Sequence, residues 1–305
     1  MNTDNLKKGM GSLALMAALV GPAAASYELL LASDEANNVI HRFDAISGRS
    51  LGEFGRGRTL SPVGIAADST KGVAYVASFG TNSIQTFDYS TGELKSEFKI
   101  GASSGPRGLT RLVNGNLAVA TITGIIEFTT AGSLVRSIGT GPYSGVTQAA
   151  DGGIWGYNYV DAKFRRFTGT GVETASFTPA TSTSSYPYFS LLPNGSSGVL
   201  TVRPTSLYGW TTNNGVGAGD ITTGLTTLTA ITLGHGPMTY VMGDTGSPAS
   251  RAIIPVNSLT GLKGTPFGMG TLGFGAGITS VIAPEPGTWL VIGLGLAALR
   301  TRRRR

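Results

Sequence analysis

Residues 74–99 read AYVASFGTNSIQTFDYSTGELKSEFK. An apolar run is followed by a polar turn, then a second run ending in Phe87. A Gly turn at Gly92 and a third, charged run close the segment. Runs of this length, rich in β-branched and aromatic residues and bounded by Gly, Asn and Ser, form antiparallel strands. The same order recurs in LLLASDEANNVIHRFDAISGRSLGEFG at 29–55, LAVATITGIIEFTTAGSLVRSIG at 117–139 and IWGYNYVDAKFRRFTGTGVETASF at 154–177. The aromatics Phe43, Phe87, Phe128, Phe167 and Trp210 fall at intervals of 44, 41, 39 and 43 residues, and Gly48, Gly92, Gly132 and Gly171 keep step with them.

Each unit after the first is led by one more short strand and a turn: PVGIAADSTKG, PRGLTRLVNG, YSGVTQAADGG and YFSLLPNG. Asn-Gly and Asp-Gly favour the positive φ of tight hairpins. Four antiparallel strands per period of about 42 residues define a β-propeller blade. The span from Tyr27 to Ala283 has room for about six periods, so the expected fold is all-β, a propeller of six four-stranded blades. The fifth unit is GVLTVRPTSLYGWTT; the sixth, from Pro237 through RAIIPVNSL to Phe274, is degenerate. The first unit lacks a leader, and GAGITSVIA at 275–283 resembles one, so this late strand is expected to complete the first blade. A ring closed this way leaves no long exposed sheet edge. An open β-sandwich or a β-solenoid is the competing architecture.

Composition supports the all-β reading: 46 glycines and few charges suit many tight turns. The absence of cysteine excludes disulfides, thiol nucleophiles, thiolate metal sites and lipoprotein acylation. The pI of 9.6 comes from the ends. Between Ser26 and Ala283 there are 16 basic and 15 acidic residues, and this near-neutral body argues against a nucleic-acid partner.

Both ends read as addresses. Lys7-Lys8, an apolar stretch from Met10 to Val20, and small residues at Ala23 and Ala25 form a signal peptide over 1–25, cut before Ser26; a buried N-terminal helix is the alternative. At the other end Gly287 to Leu299 is 13 uncharged residues, about 20 Å of helix against a hydrocarbon core of roughly 30 Å. Arg300, Arg302, Arg303, Arg304 and Arg305 follow, and the positive-inside bias leaves everything before them outside the cytoplasm. Pro284-Glu285-Pro286 holds the backbone extended just ahead of that helix.

Pro-Glu-Pro, a short apolar helix and terminal arginines over 283–305 resemble the PEP-CTERM sorting signal. That resemblance implies cleavage by an exosortase at the inner membrane of a Gram-negative bacterium that makes extracellular polysaccharide, and release to the cell surface or beyond. An uncleaved anchor holding a periplasmic scaffold is the alternative. The body, 26–282, resembles the NHL and streptogramin-lyase-like propellers through DGGIW and its repeat. Relatives in the gluconolactonase and streptogramin-lyase groups hold a divalent metal with Glu, Asp, Asn or His near the channel.

The expected channel strands here, VGIAA, RGLTRL, SGVTQAA, YFSLL, MTYVM and GITSVI, contain no carboxylate or histidine. Hard cations take several oxygen ligands, carboxylates among them. We therefore expect no catalytic residue, no metal and no cofactor, and a binding or structural role, with exopolysaccharide or a matrix protein as the partner that family context suggests. A metal-dependent lyase or lactonase-like hydrolase on the same ring is the alternative. Asp68 and Asp151 read as turn residues, and His41 as a surface strand residue. No Gly-x-Ser-x-Gly elbow is present. His235, in the loop Gly234-His235-Gly236-Pro237, and Tyr186, Tyr188 and Trp210 remain as ligand candidates, the aromatics through stacking on sugar rings.

Overall fold

A computed structural model of the protein describes residues 26–101, 104–179, 191–194, 198–202, 206–211, 216–223, 225–246 and 251–284. Glu28–Val281 is one compact unit; Met1–Tyr27 and Ile282–Arg305 group as a second, of which only strand ends are described. The sequence readings of the signal peptide and the C-terminal helix therefore lie outside the described residues.

The fold is all-β, a β-propeller, with no helix among the described residues. The first sheet has the order β23-β1-β2-β3, from Gly275–Pro284, Ser26–Asp34, Val39–Asp44 and Ser50–Phe54. The late strand does complete it. The second is β4 to β7 (Pro62–Asp68, Val73–Ser78, Ser83–Asp88, Leu94–Lys99), and the third is β8 to β11 (Leu109–Arg111, Leu117–Ala120, Gly124–Phe128, Leu134–Thr140). The fourth is β12 to β15 (Tyr143–Gln148, Ile154–Asn158, Lys163–Phe167, Glu173–Phe177), and the fifth is β16 to β19 (Leu192–Asn194, Gly198–Val202, Ser206–Thr211, Val216–Thr222).

The remaining sheet corrects the sequence reading twice. It has three strands, β20 to β22 (Thr227–Leu233, Met238–Asp244, Arg251–Asn257), so five blades rather than six are four-stranded. Where a fourth strand is expected, only isolated bridges join Val256 to Lys263 and Ile253 to Phe267. Its innermost strand is Thr227–Leu233, and MTYVM belongs to the second strand. Both segments are buried on both faces, so their pattern does not rank them.

The second sheet shows why strand sequences differ. In β4, β5 and β6 nearly every residue is buried, because both faces pack against neighbouring sheets. Outermost β7, LKSEFK, is wet except where Phe98 turns inward. At three junctions an outer aromatic meets the next sheet: ring centres lie 5.3 Å apart for Phe54–Phe87, 5.6 Å for Phe98–Phe128 and 5.7 Å for Phe267–Phe43. Such pairs contribute about 0.5–1.5 kcal/mol beyond area burial. The aromatic period in the sequence is this repeated junction, and Phe267 supplies it where the three-stranded sheet meets the first.

The same junctions explain the turn glycines. At Gly92, with φ +79°, a Cβ would stand 2.6 Å from Phe54 Cβ; at Gly48 and Gly132 the clash is with Phe267 and Phe98. The turn ahead of Gly92 is capped by Asp88, whose Oδ1 accepts the N–H groups of Ser90 and Thr91 at 3.0 and 2.9 Å. Asp44 and Asn257 cap the matching turns. Asp88→Ala is expected to lower stability by about 1 kcal/mol, the loss of one such cap, read from a urea-unfolding midpoint.

Candidate functional site

The ring axis is built from glycine. In β4 a Cβ on Gly64 would lie 2.3 Å from Arg107 O and 2.7 Å from Leu109 N; Gly108 meets Ser144 and Gly145 backbone at 2.7 Å, and Gly277 meets Val63 O at 2.2 Å. Backbone rests on backbone at three successive sheet junctions, which only residues without a side chain permit. The space left is a cavity of ≈ 20 Å³ lined by Gly64, Ile65, Leu109, Val146, Leu191, Gly277 and Ile278. That is room for about one water, and the lining side chains are apolar.

Around this end of the axis lie the loops 35–38, 79–82, 104–108 and 159–162. Asn38 and Asn82 sit in the left-handed region, at φ 56° and 54°, which asparagine tolerates. Their side chains anchor neighbouring loops: Asn38 Oδ1 accepts Ser61 N–H at 2.7 Å, and Asn82 Oδ1 accepts Gly105 N–H at 2.9 Å. Arg107 is thereby held with its guanidinium carbon 5.1 Å from the Phe79 ring centre and 5.2 Å from that of Tyr159. Phe79 and Ile122 remain 37% exposed and Leu60 48%, an apolar rim beside the charge.

Glu35 is half-buried at the same mouth, its N–H bonded to Phe274 O at 2.7 Å. Burial pushes its carboxyl pKa above the usual carboxylate value, against the pull of the Arg107 charge. Among the described residues that carboxylate accepts no hydrogen bond and makes no ion pair. An acceptor-only group, a donor-only group and two aromatic rings thus share this end of the axis.

The residues singled out from the sequence fall elsewhere. His235 is exposed at the opposite end of the ring, in the β20–β21 turn, where its N–H donates to Glu28 Oε1 at 2.9 Å. Tyr240 donates its hydroxyl to Glu28 Oε2 at 3.2 Å, and burial followed by the Glu28 charge raises the Tyr240 pKa. Trp210 lies on β18 paired with Val199, its side chain outside the described residues, as are Tyr186 and Tyr188. His41 corrects the reading as a surface residue: it is 3% exposed, with Nε2 3.1 Å from Asp34 Oδ2 and Nδ1 4.0 Å from Glu53.

Asp68 and Asp151 do serve turns, at Thr70 and Gly153, and also pair with Arg111 at 3.1 Å and with Arg166. Phe164 and Phe167 lie on opposite faces of β14, both buried, while Arg165 and Arg166 are engaged in ion pairs. Among the described residues no three His, Asp or Glu side chains gather as a metal site would need.

Sequence reasoning missed Glu35, Phe79, Arg107 and Tyr159. The signal available was position: Glu35, Phe79 and Tyr159 each begin the turn between the second and third strands of their unit. All three turns therefore open at one end of the ring.

Comparison with known proteins adds an address and a fold. Residues 283–305 match the PEP-CTERM protein-sorting motif. The motif implies an exported, membrane-anchored precursor of a Gram-negative bacterium, processed by exosortase, a membrane protease. No curated protein matches the chain. Among solved structures, a Bacteroides caccae protein of unknown function aligns with TM-score 0.67 and 12% identity, over 84% of this chain and 99% of that one. A streptogramin B lyase aligns with TM-score 0.58 and 19% identity, over 85% and 88% of the two chains. A chain of a nidogen/laminin complex gives 0.62 and 15%, over 83% and 98%. At these identities the likeness is one of fold: the chain is a β-propeller similar to streptogramin-lyase and NHL-like propellers, carrying a PEP-CTERM tail.

Proposed function

We propose that the mature ring, residues 26–282, works by binding, as a component of the cell surface or extracellular matrix, after exosortase cuts its tail at the inner membrane. In this reading the signal peptide is removed before Ser26, Pro284-Glu285-Pro286 presents the cleavage segment, and the arginines from Arg300 to Arg305 hold the precursor until it is cut. Exopolysaccharide or a matrix protein is the partner. The three-stranded sheet counts as a sixth blade whose outer strand is reduced to Lys263 and Phe267.

The observation that carries the binding reading is the axis. Small-molecule sites enclose about 300–1,000 Å³, whereas this axis holds ≈ 20 Å³ between apolar side chains. What the ring offers a partner is the rim above it. The lyase reading rests on fold, and fold does not carry chemistry.

The test is the mass of the protein recovered from its own cells. The expected product starts at Ser26 and lacks Arg300 to Arg305. A product that retains Arg305 turns the reading into that of an anchored periplasmic scaffold. Incubation with a streptogramin B and Mg²⁺ is expected to leave the substrate intact; turnover abolished by chelation establishes the enzyme instead.

A further inference from the structure

We propose that the mouth formed by loops 35–38, 79–82, 104–108 and 159–162 is a saccharide site that reads a vicinal diol through Glu35 and Arg107. This rests on the binding reading above and names its ligand class and its residues.

The argument begins with hydrogen-bond inventory. A carboxylate only accepts and a guanidinium only donates. A pair of adjacent hydroxyls offers both functions at once, one O–H to Glu35 and one oxygen lone pair to Arg107. An ammonium group uses only the first residue, and a phosphate only the second. Burial of Glu35 without an ion pair or hydrogen bond among the described residues leaves an acceptor in want of a donor, and such a group repays any ligand O–H placed on it.

Apolar surface supplies the second half. The C–H face of a pyranose packs on aromatic rings, and Phe79 and Tyr159 flank Arg107 at 5.1 and 5.2 Å from its guanidinium carbon. Phe79 is 37% exposed, so part of its side chain is within reach of a ligand that also meets Arg107. Depth selects the kind of saccharide. The cavity under the mouth is ≈ 20 Å³, too small to engulf a free sugar or to bury the apolar anchor of a peptide, which needs a pocket. The four described loops instead offer contact to one unit of a chain lying across them, with affinity built from repetition along the polymer.

The experiment measures retention of the mature protein in affinity electrophoresis through gels containing dextran, mannan or polyguluronate. Wild type is expected to be retarded by at least one of them. Glu35→Gln, Arg107→Lys and Tyr159→Ala are each expected to weaken that retardation tenfold or more. Lys95→Ala, on outer strand β7, is expected to leave it unchanged. Glu35→Gln keeps size and shape and Arg107→Lys keeps the charge while losing the planar fork, and thermal melting checks that every variant is folded. Retardation of wild type that survives in folded Glu35→Gln and Arg107→Lys overturns the site and leaves the binding role standing. No retardation of wild type in any gel overturns the saccharide class, while the mass measurement still decides delivery.

Discussion

Asp34→Ala is expected to lower the stability of the ring by about 4 kcal/mol, the loss typical of breaking a buried charged network. Asp34 is fully buried at the end of β1. Its carboxylate accepts Gly273 N–H at 2.6 Å, Phe274 N–H at 3.1 Å, and Asn37 N–H and Nδ2 at 3.0 and 2.8 Å, and it lies 3.1 Å from His41 Nε2. Gly273 and Phe274 lead into β23, so one side chain ties the first strand to the approach of the last. Alanine leaves the buried His41 Nε2 and the partly buried N–H groups of Gly273 and Phe274 without this acceptor, and a buried donor so orphaned is a loss of about 1–3 kcal/mol. In a melting experiment this is a fall of roughly 10 °C, at about 2–4 °C per kcal/mol for a domain this size.

Acid gives the same residue a second signature. Burial alone raises the Asp34 pKa, but the bonds from His41, Gly273 and Asn37 outweigh it and hold the folded carboxyl well below the usual carboxylate range. A carboxylate depressed on folding stabilises the protein fully above its unfolded pKa, and that stability drains away as pH falls below it. The groups facing Asp34 are His41 and Asn37, with Glu53 beyond His41. Asp44, Asp68, Asp88, Glu97 and Glu127 are also depressed. The diagnostic quantity is thus a difference: below pH 4, wild type loses stability faster than Asp34→Asn. Parallel curves sink the assignment.

The second large effect is expected at Gly64, where alanine destabilises the ring by about 3 kcal/mol, at the upper end of overpacking. Its Cβ would meet Arg107 O at 2.3 Å and Gly108 backbone carbon at 3.0 Å, and backbone in a sheet has no rotamer to yield. Relief requires moving β4 away from β8, and that shift passes to Gly108 against Ser144 and to Gly277 against Val63. Gly72→Ala is the comparison: φ there is +69° with nothing within 4 Å, so only the left-handed strain of about 1–2 kcal/mol applies. Equal midpoints for the two variants in urea show that the inner strands are not pressed together.

Those inner glycines also mark what the sequence made legible. The aromatic period could be read because three junctions reuse one solution, an outer ring against an inner ring, with a turn glycine where no Cβ fits. Strand rank in the last sheet could not, since TLTAITL and MTYVM are both buried on two faces. Its turn GHGP also lacks the Asn-Gly or Asp-Gly that marks three of the other leaders. His41 misled for a related reason: a polar residue on a strand covered on both sides lies in the core if a carboxylate waits there, and Asp34 is seven residues away. The mouth escaped because its members come from four loops spread over more than a hundred residues, and no local pattern ties Glu35 to Tyr159.

The pairing of β23 with β1 has a bearing on biosynthesis. A ribosome delivers Ser26–Asp34 well before Gly275–Pro284, so the first strand waits for the rest of the ring before gaining its neighbour. Such distant contacts make assembly slow. A message cut short upstream of codon 275 yields a molecule with a frayed seam, exposed to proteases, and without the motif that exosortase reads. Ring closure and sorting thus draw on adjoining stretches of the chain.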